Sequence, residues 1–399
     1  MSRNDGFETM TQPPLLSILA AFCVLTAAGL PAPGSHAEEP PPFESIEALG
    51  AALFSDPNLS RNRTQTCATC HDPGVAFTDP RGTKAGLAVS LGDDGVSLGD
   101  RNTPTAAYAG FAPPFHLTEE GFYVGGQFLD GREPDLAGQA GGPPLNPIEM
   151  GMTGKDRVVR RLQENSGYVA AFKKFYGEDI FSKPERAYEA MTESIAAFEM
   201  TPLFAPFDSK YDRFLRGETA LSDQEELGRL LFFSQQFTNC NLCHQLRRSP
   251  VAADETFSNY RYHNIGIPEN AAVRELNGSA PDFVDRGLLD NPAVDNPAQG
   301  GKFKVPTLRN VAVTPPYMHN GVFRELRTAV LFYNKYNSKS AERQVNPETG
   351  KPWRAPEVPE NLALEELTHG PALDDRRIDA IVAFLKTLTD KRYEHLLEE

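Results

Sequence analysis

The chain has 399 residues, which is enough for two domains of ordinary size. Its formal net charge of −15 at pH 7 argues against nucleic acid and anionic lipid as partners, and it allows electrostatic steering towards a protein with a basic patch. With 33 prolines and 32 glycines, the chain is expected to have long loops between its helices.

The first predicted element is an export signal at the N-terminus. Residues 15–30 form an apolar run, which is shorter than the ~20 residues that a membrane-spanning helix needs. The segment Ser35-His36-Ala37 follows with the small-x-small pattern of a cleavage site. We therefore expect residues 1–37 to be removed as a signal peptide, and we expect no stable membrane insertion. An uncleaved anchor is the alternative.

Two five-residue motifs, Cys67–His71 and Cys240–His244, carry the strongest chemical signal. In C-x-x-C-H, two thiols bond covalently to one haem while the adjacent histidine binds its iron. The two copies use every cysteine except Cys23, and neither a zinc site nor a disulfide framework explains the spacing. They predict two haem c groups. The attachment residues are Cys67, Cys70, Cys240 and Cys243, and the proximal ligands are His71 and His244. Bacteria attach such haems outside the inner membrane, so we expect the protein in the periplasm.

Matching segments surround the two motifs. The helix predicted over 45–54 and a similar helix predicted to include residues 227–232 share the sequence Leu-Gly-x-x-Leu-Phe, and a Ser222/Glu225 capping box opens the second. After the motifs, residues 101–105 match 305–310, and residues 130–136 match 320–326. These matches predict an internal repeat, in which residues 38–205 and 206–399 each form a cytochrome c-like domain with one haem.

Amphipathic helices are predicted near the end of each half. Apolar residues recur at helical spacing over 156–175 and 185–200 in the first half, and over 375–388 in the second. Sustained strand alternation is absent from the sequence. The predicted fold class is therefore all-α with long irregular loops.

The repeat predicts different surroundings for the two irons. Twelve residues after Gly321 the chain reaches Tyr333, on one helical face with Leu326, Ala329 and Val330. The same count from Gly131 reaches Pro143, which has no lone pair to offer a metal. If this face meets the distal side of each haem, the second iron is six-coordinate and low-spin, with Tyr333 as its ligand. The first iron is then five-coordinate, high-spin and open to a small oxidant.

Two other side chains are rival ligands of the second iron. Met318 and His319 both carry atoms that bind iron, but the repeat places them before the helix that carries Tyr333. A pure electron carrier would need both irons to be six-coordinate, and Pro143 argues against that.

The sequence resembles the bacterial di-haem cytochrome c peroxidase family. The resemblance rests on the two motifs with residues 101–105, 131–132 and 317–321, and it covers essentially the whole mature chain. Within the family, residues 60–62, 262–266 and 329–336 are similar to the MauG branch, the methylamine-utilisation enzymes. This branch implies an oxidoreductase that uses hydrogen peroxide to complete tryptophan tryptophylquinone in a precursor of methylamine dehydrogenase. The substrate protein would be oxidised at a distance.

The resemblance implies further site residues. It places Gln139 and Glu149 in the distal pocket of the first haem, where one positions peroxide and the other transfers its proton. The residues alone suggest only a solvent-facing helix residue and a loop carboxylate. The resemblance also implies a calcium ion between the haems, held by Asn102, Thr314 and Pro316, partly through backbone carbonyls.

Two features separate the branches. Ordinary family peroxidases have methionine at the position of Tyr333, and they carry a histidine in the loop after the first motif; residues 72–101 contain none. Both features favour the MauG branch. The family also implies a histidine near the second haem at His263, although a lone histidine there is more often structural.

One departure bears on long-range oxidation. The family usually has tryptophan at the position of Leu129, and leucine cannot relay an oxidising equivalent. Residues 236–239, before the second motif, also lack tryptophan, and Trp353 is the only one in the chain. The alternative function is therefore an ordinary periplasmic peroxidase, which reduces hydrogen peroxide with electrons from a small cytochrome or cupredoxin.

Overall fold

Helices dominate the computed structural model, which describes residues 43–247 and 249–398, without the side chain of Glu398. The helices are α1 (Ile46–Phe54), α2 (Cys67–Cys70), α3 (Leu136–Gly141), α4 (Lys155–Gln163), α5 (Ser166–Tyr176), α6 (Pro184–Glu199), α7 (Lys210–Leu215), α8 (Asp223–Phe232), α9 (Cys240–Cys243), α10 (Ala271–Asn277), α11 (Leu326–Asn334), α12 (Leu364–Leu367) and α13 (Asp375–Lys386). The predicted signal peptide, residues 1–37, lies outside the described residues. Among the described helices, none is long and apolar enough to cross a membrane.

The strands are short and local. They are β1 (His116–Leu117), β2 (Tyr123–Val124), β3 (Tyr262–His263), β4 (Phe303–Lys304), β5 (Val345–Asn346) and β6 (Lys351–Pro352). They form three antiparallel pairs, β1–β2, β3–β4 and β5–β6, and His263 pairs with Phe303. The prediction of a helical protein with little sheet and much irregular loop is confirmed.

Several predicted helix starts are present as capping interactions. The Ser45 hydroxyl accepts a hydrogen bond from the Ala48 N–H at the start of α1. The Ser222/Glu225 capping box also forms, because each side chain accepts from the other residue's backbone N–H. These side chains satisfy donors that the first turn of a helix leaves unpaired.

The prediction of one helix over 156–175 is wrong. The chain forms α4 and α5 instead, and Asn165 lies between them. The Asn165 side chain accepts hydrogen bonds from the backbone N–H groups of Gly167 and Tyr168 at 2.9 and 3.3 Å. Asparagine competes with the helix backbone for hydrogen bonds and favours caps, so the helix breaks at this residue. The helical spacing of apolar residues nevertheless continues across the break.

The predicted repeat has a direct counterpart in helix packing. Helix α1 crosses α6 at Gly50, where a β-carbon would overlap the carbonyl of Ser194. Helix α8 crosses α13 at Gly228, where a β-carbon would overlap the carbonyl of Ala380. The shared Leu-Gly-x-x-Leu-Phe sequence therefore marks two equivalent crossings at which helix backbones touch.

Two main hydrophobic cores lie on either side of residues 205 and 206. The buried residues of the first core lie between 49 and 204, and those of the second between 211 and 388. The described residues nevertheless belong to one compact unit. The boundary between two cytochrome c-like domains stays a prediction.

Buried polar contacts join the two halves. Within the second half, the fully buried Arg309 binds both carboxylate oxygens of Asp212, at 2.5 and 2.9 Å, and its guanidinium lies 5.4 Å from the ring centroid of Tyr108 in the first half. Nearby, Asp390 accepts hydrogen bonds from the Tyr108 hydroxyl at 2.5 Å and from the Asn310 side chain at 2.8 Å. Tyr108 belongs to the first half and Asp390 to the second, so this buried hydrogen bond joins the halves.

An ion-pair group also crosses between the halves. Arg101 binds Asp130 of the first half at 2.6 Å and Asp285 of the second half at 2.7 Å. Burial alone would raise the pKa of Asp285, but the hydrogen bonds and charge of Arg101 hold it at about 2. The predicted repeat segment 101–105 therefore begins with a residue that ties the halves together.

We predict that Gly50→Ala destabilises the fold by about 1–3 kcal/mol, because the new methyl group must displace a helix backbone. Denaturant unfolding of the purified protein measures this change. Gly82→Ala is the matched control, since a β-carbon there meets no atom within 4 Å. Equal stability of the two variants would contradict the proposed crossing.

Candidate haem and metal sites

The first Cys-x-x-Cys-His motif forms a short helix that presents its histidine. Thr66 and Thr69 form a capping box at the start of α2, and the His71 N–H donates to the Cys67 carbonyl at 2.9 Å. The His71 Nδ1–H donates to the carbonyl of Phe77 at 3.2 Å. Because Nδ1 is occupied in this way, Nε2 is left to bind iron.

The second motif repeats this geometry. In α9 the His244 N–H donates to the Cys240 carbonyl at 2.9 Å, and His244 Nδ1–H donates to the Phe257 carbonyl at 3.1 Å. Phe77 and Phe257 both have left-handed backbone angles, with φ of 56° and 55°. A non-glycine residue rarely adopts this region, so the chain bears local strain in the two residues whose carbonyls orient the histidines.

Two threonines, whose role sequence reasoning missed, hold these turns in place. The Thr105 hydroxyl donates to the Ala76 carbonyl at 2.5 Å, and the Thr307 hydroxyl donates to the Thr256 carbonyl at 2.7 Å. Each acceptor directly precedes the phenylalanine that orients a proximal histidine. The Pro-Thr pair that occurs in both repeat segments, 101–105 and 305–310, is the sequence signal that could have identified these two threonines.

Burial sets the protonation of the motif residues. It lowers the pKa of His71, and it lowers that of His244 to about 4, so both imidazoles are neutral and able to bind iron. Burial also raises the pKa of Cys70 to about 11 and of Cys243 to about 12.

Within residues 43–247 and 249–398, no cluster of three or more His, Cys, Asp or Glu side chains is placed to bind a metal ion.

A large cavity adjoins the second motif. Its volume is about 390 Å³, and Cys240, Cys243, His244 and Tyr333 are among the residues that line it. Cofactor pockets in proteins measure about 300–1,000 Å³ and have mostly apolar walls. The residues therefore fit a haem that is attached through the two cysteines and bound on one face by His244.

Tyr333 reaches this cavity from α11. It is 36% exposed, and Leu326, Ala329 and Val330 of the predicted helical face line the same cavity. Burial by the surrounding chain raises the pKa of Tyr333 above its usual value. The structure thus brings a phenol and a proximal histidine, 89 residues apart in sequence, to one cofactor-sized space.

Three further candidate residues also lie at this cavity: His263, Met318 and His319. The His319 ring stacks on Phe303 at 3.7 Å between centroids, and its Nε2 has no hydrogen-bond partner among the described residues. Burial lowers the pKa of His319 to about 3. His263 Nε2 is likewise without a partner, while its Nδ1 lies 3.7 Å from Glu366.

The first half lacks an equivalent of Tyr333 because its helix is shorter. Helix α3 ends at Gly141, and Pro143 begins a 3₁₀ turn, whereas α11 continues through Tyr333 to Asn334. Proline lacks the N–H that a continuing helix requires. Gln139 lies in α3 and is half-buried.

Glu149 lies in the loop after α3, close to the first motif. Its carboxyl is near enough to Cys70 for its charge to raise the pKa of that thiol. Burial raises the pKa of Glu149 itself, although the charge of Arg132 and a hydrogen bond from Asn146 oppose the shift. A carboxyl with a raised pKa beside a haem site is suited to accept and return a proton.

A small polar cavity between the halves brings together two of the three predicted calcium ligands. It measures about 10 Å³ and is lined by Thr78, Asp79, Leu87, Ser90, Asn102, Thr103, Thr314 and Pro315. The Asn102 side-chain N–H groups donate to the carbonyls of Leu87 and Ala88, at 3.3 and 3.1 Å, which leaves Oδ1 as an acceptor. This volume is enough for about one water molecule or one metal ion, and the oxygen atoms of the residues that line it suit a hard cation. Pro316 does not line this small cavity, but all three residues, Asn102, Thr314 and Pro316, line the larger cavity.

The positions where the family carries tryptophan are filled differently. Leu129 lines the large cavity, and its carbonyl accepts from the Lys304 N–H at 2.9 Å. Thr238 is buried, and its hydroxyl donates to the Leu231 carbonyl at 2.5 Å. Trp353 packs against Phe332, with ring centroids 5.4 Å apart.

Known proteins share these features over most of the chain. A family model described as di-haem cytochrome c peroxidase matches residues 44–220. The chain is 55% identical over 384 residues to the methylamine utilization protein MauG of Paracoccus denitrificans, covering 96% of this chain and 97% of the relative. It is 33% identical to the cytochrome c peroxidase Ccp of Escherichia coli, covering 72% of this chain and 53% of that relative, or about half its length. The crystal structure of the diheme peroxidase BthA from Burkholderia thailandensis matches with a TM-score of 0.77 at 34% identity, over 88% of both chains.

Proposed function

This chain belongs to the di-haem cytochrome c peroxidase family, and we propose that it uses hydrogen peroxide to complete tryptophan tryptophylquinone in a methylamine dehydrogenase precursor. It is a haem-dependent oxidoreductase with two haem groups. The relative that is 55% identical over 96% of this chain is a methylamine utilization protein.

The position of Tyr333 carries this proposal. Its phenol shares one cavity with His244, Cys240 and Cys243. Methionine as an axial ligand raises the reduction potential of a haem, whereas an anionic oxygen ligand stabilises higher iron oxidation states. A Tyr333-ligated site is therefore suited to hold oxidising equivalents for a partner protein, and it is poorly suited to accept electrons from a small cytochrome.

The two halves then have separate tasks. We propose that residues 38–205 form the domain of the high-spin, peroxide-reacting haem on His71, and that residues 206–399 form the domain of the six-coordinate haem on His244 and Tyr333. When bound, the two haems supply the redox chemistry between peroxide and the partner protein. The absence of a ligand at Pro143 supports an open site in the first half.

The residues of the first site would handle the peroxide. We propose that Gln139, on α3, positions the peroxide by hydrogen bonding. Glu149 would accept a proton from one oxygen of the peroxide and return it to the other oxygen, which leaves as water. The burial that raises the pKa of Glu149 makes its carboxylate a stronger base, which favours this exchange.

Electrons from the substrate must travel through this protein to reach the haems. A haem pocket cannot admit the tryptophans of a folded partner, so electrons have to leave the partner over a distance. Leu129 at the cavity wall is aliphatic and has no oxidisable ring. We propose that electrons tunnel directly past this residue or use tyrosines.

We also propose that the protein works in the periplasm after loss of residues 1–37, with the acidic surface steering it to its partner.

We further propose that Asn102, Thr314 and Pro316 hold a calcium ion. Asn102 follows Arg101 in the first half, while Thr314 belongs to the second half, and both line the small polar cavity. A cation there would join the halves beside the Arg101 ion pairs. The carboxamide of Asn102 is already oriented with its oxygen free.

Met318 favours the alternative function. Its thioether lies at the same cavity as His244, and relatives such as the E. coli protein are cytochrome c peroxidases. If Met318 rather than Tyr333 bound the second iron, a small cytochrome or cupredoxin would be the electron donor, and peroxide reduction would be the whole reaction.

Supplying both substrates tests the proposed function directly. We expect the purified di-haem protein, given hydrogen peroxide and the precursor of methylamine dehydrogenase, to produce the quinone absorbance of the mature cofactor. Reduced small cytochrome c should be oxidised slowly by comparison. Rapid cytochrome oxidation with no quinone formation would instead establish the alternative function.

We predict that Tyr333→Phe converts the low-spin ferric haem to another spin state and leaves the high-spin signal unchanged. The phenyl ring offers iron no oxygen ligand. Electron paramagnetic resonance of the ferric protein measures both signals at once. Tyr336→Phe is the matched control, because that phenol donates to the Ile265 carbonyl at 2.9 Å and lies outside the proposed site. An unaltered low-spin signal in Tyr333→Phe would rule out Tyr333 as the ligand.

We predict that Glu149→Gln slows the reaction of peroxide with the ferric protein by about 10²–10⁴-fold, the usual contribution of a general base. Because burial raises the pKa of Glu149, the native rate should fall as pH drops through that raised value, and the variant rate should not. Stopped-flow absorbance measures both rates. Glu133→Gln, a half-buried carboxyl before α3, is the control. A similar loss in both variants contradicts the assigned role.

A further inference from the structure

Glu199, the last residue of α6, places an acid inside the first half of the protein. Glu199 is 7% exposed, and no hydrogen bond or charge from any described residue acts on its carboxyl. Buried carboxyls are normally paired or hydrogen-bonded, because an unpaired charge is strongly disfavoured away from water. No role in the proposed reaction accounts for this side chain.

The repeat shows what Glu199 faces. At the α1–α6 crossing a β-carbon on Gly50 would meet Ser194 and Phe198, and at the α8–α13 crossing one on Gly228 would meet Ala380 and Phe384. Phe198 and Phe384 are therefore equivalent, and so are the residues that follow them, Glu199 and Leu385. Leu385 lines the large cavity at the second motif. Glu199 accordingly occupies the haem-facing position of the first half.

A second observation places the carboxyl beside the first haem site. The charge of Glu199 acts on Cys67, one of the two attachment residues, and raises its pKa. Burial also raises the pKa of Glu199 itself to about 8, with no charged neighbour contributing. Cys67 would lose its ionisable thiol on attachment to haem, so Glu199 near Cys67 and Glu149 near Cys70 are two acids with raised pKa values at this site.

The other charges on α6 and on the helices packed against it point away from this site. Glu185, Arg186, Glu189 and Glu193 of α6, Glu47 of α1, Lys155, Asp156, Arg157 and Arg160 of α4 and Lys174 of α5 are exposed, and Arg161 and Lys173 are half-exposed. The phenol of Tyr188 donates to the Gly141 carbonyl. No described cation is therefore paired with Glu199.

We propose that Glu199 couples the redox state of the first haem to a proton. Its carboxyl takes up one proton from solvent when the iron gains one electron, and it releases that proton when the iron is oxidised. A carboxylate in a poorly solvated site interacts strongly with the added positive charge of oxidised iron, so oxidation favours the ionised form. Leu385 cannot do this, so the second haem lacks the same coupling. The inference rests on the proposed attachment of the first haem at Cys67–His71.

Redox titration against pH tests the coupling in the complete di-haem protein. We expect the ferric–ferrous midpoint potential of the high-spin haem to fall with rising pH, at a slope of one proton per electron, in a window near neutral to mildly alkaline pH. In Glu199→Gln this slope should vanish, and the potential above the window should exceed the native value. Glu193→Gln, an exposed acid on the same helix, should keep the native slope.

Infrared difference spectroscopy gives a measurement that does not need a variant. Reduction of the native protein on an electrode should produce the C=O band of a protonated carboxyl, shifted in heavy water, and Glu199→Gln should lack it. A native protein without this band, or a variant that keeps the native slope, would overturn the coupling. The mass of the protein shows whether the first haem is attached, because a chain without it would be lighter by one haem. A chain of full mass without the carboxyl band would therefore contradict the role of Glu199 and not the attachment.

Discussion

In each Cys-x-x-Cys-His motif, the hydrogen bond from the histidine to a backbone carbonyl is the contact on which the surrounding structure depends. His71 donates to Phe77 and His244 donates to Phe257, which directs Nε2 of each ring to the haem site. Each carbonyl comes from a residue with left-handed backbone angles, and a threonine fastens the residue before it. The loops around the motifs are irregular because they must deliver these carbonyls rather than form a regular element.

One scaffold, used twice, supports two unlike sites. The glycine-mediated crossings of α1 with α6 and of α8 with α13 keep the helices equivalent, so differences at single positions decide the chemistry. Tyr333 continues a helix where Pro143 ends one, and Glu199 occupies the position of Leu385. Both differences fit an open, proton-exchanging first site and a closed second site.

The halves are joined by polar contacts that are almost entirely buried. Separating the halves would break the ion pair of Arg101 with Asp285 and the hydrogen bond of Tyr108 with Asp390, and it would leave the buried Asp285 carboxylate without its cation. Such contacts keep the relation between two redox sites constant, which long-range electron transfer requires. The proposed calcium site adds a third connection of the same kind.

By itself, the sequence determined the two haem motifs, most of the helices, the repeat and the side of α11 that meets the cavity. These signals are local or periodic, so spacing alone reveals them. The break at Asn165 escaped detection because the helical spacing of apolar residues continues across it. The packing of the chain was needed to show that Arg101 pairs with both Asp130 and Asp285 and that Glu199 is buried without a partner. Those features depend on how distant loops and helices pack, and packing leaves no period in the sequence.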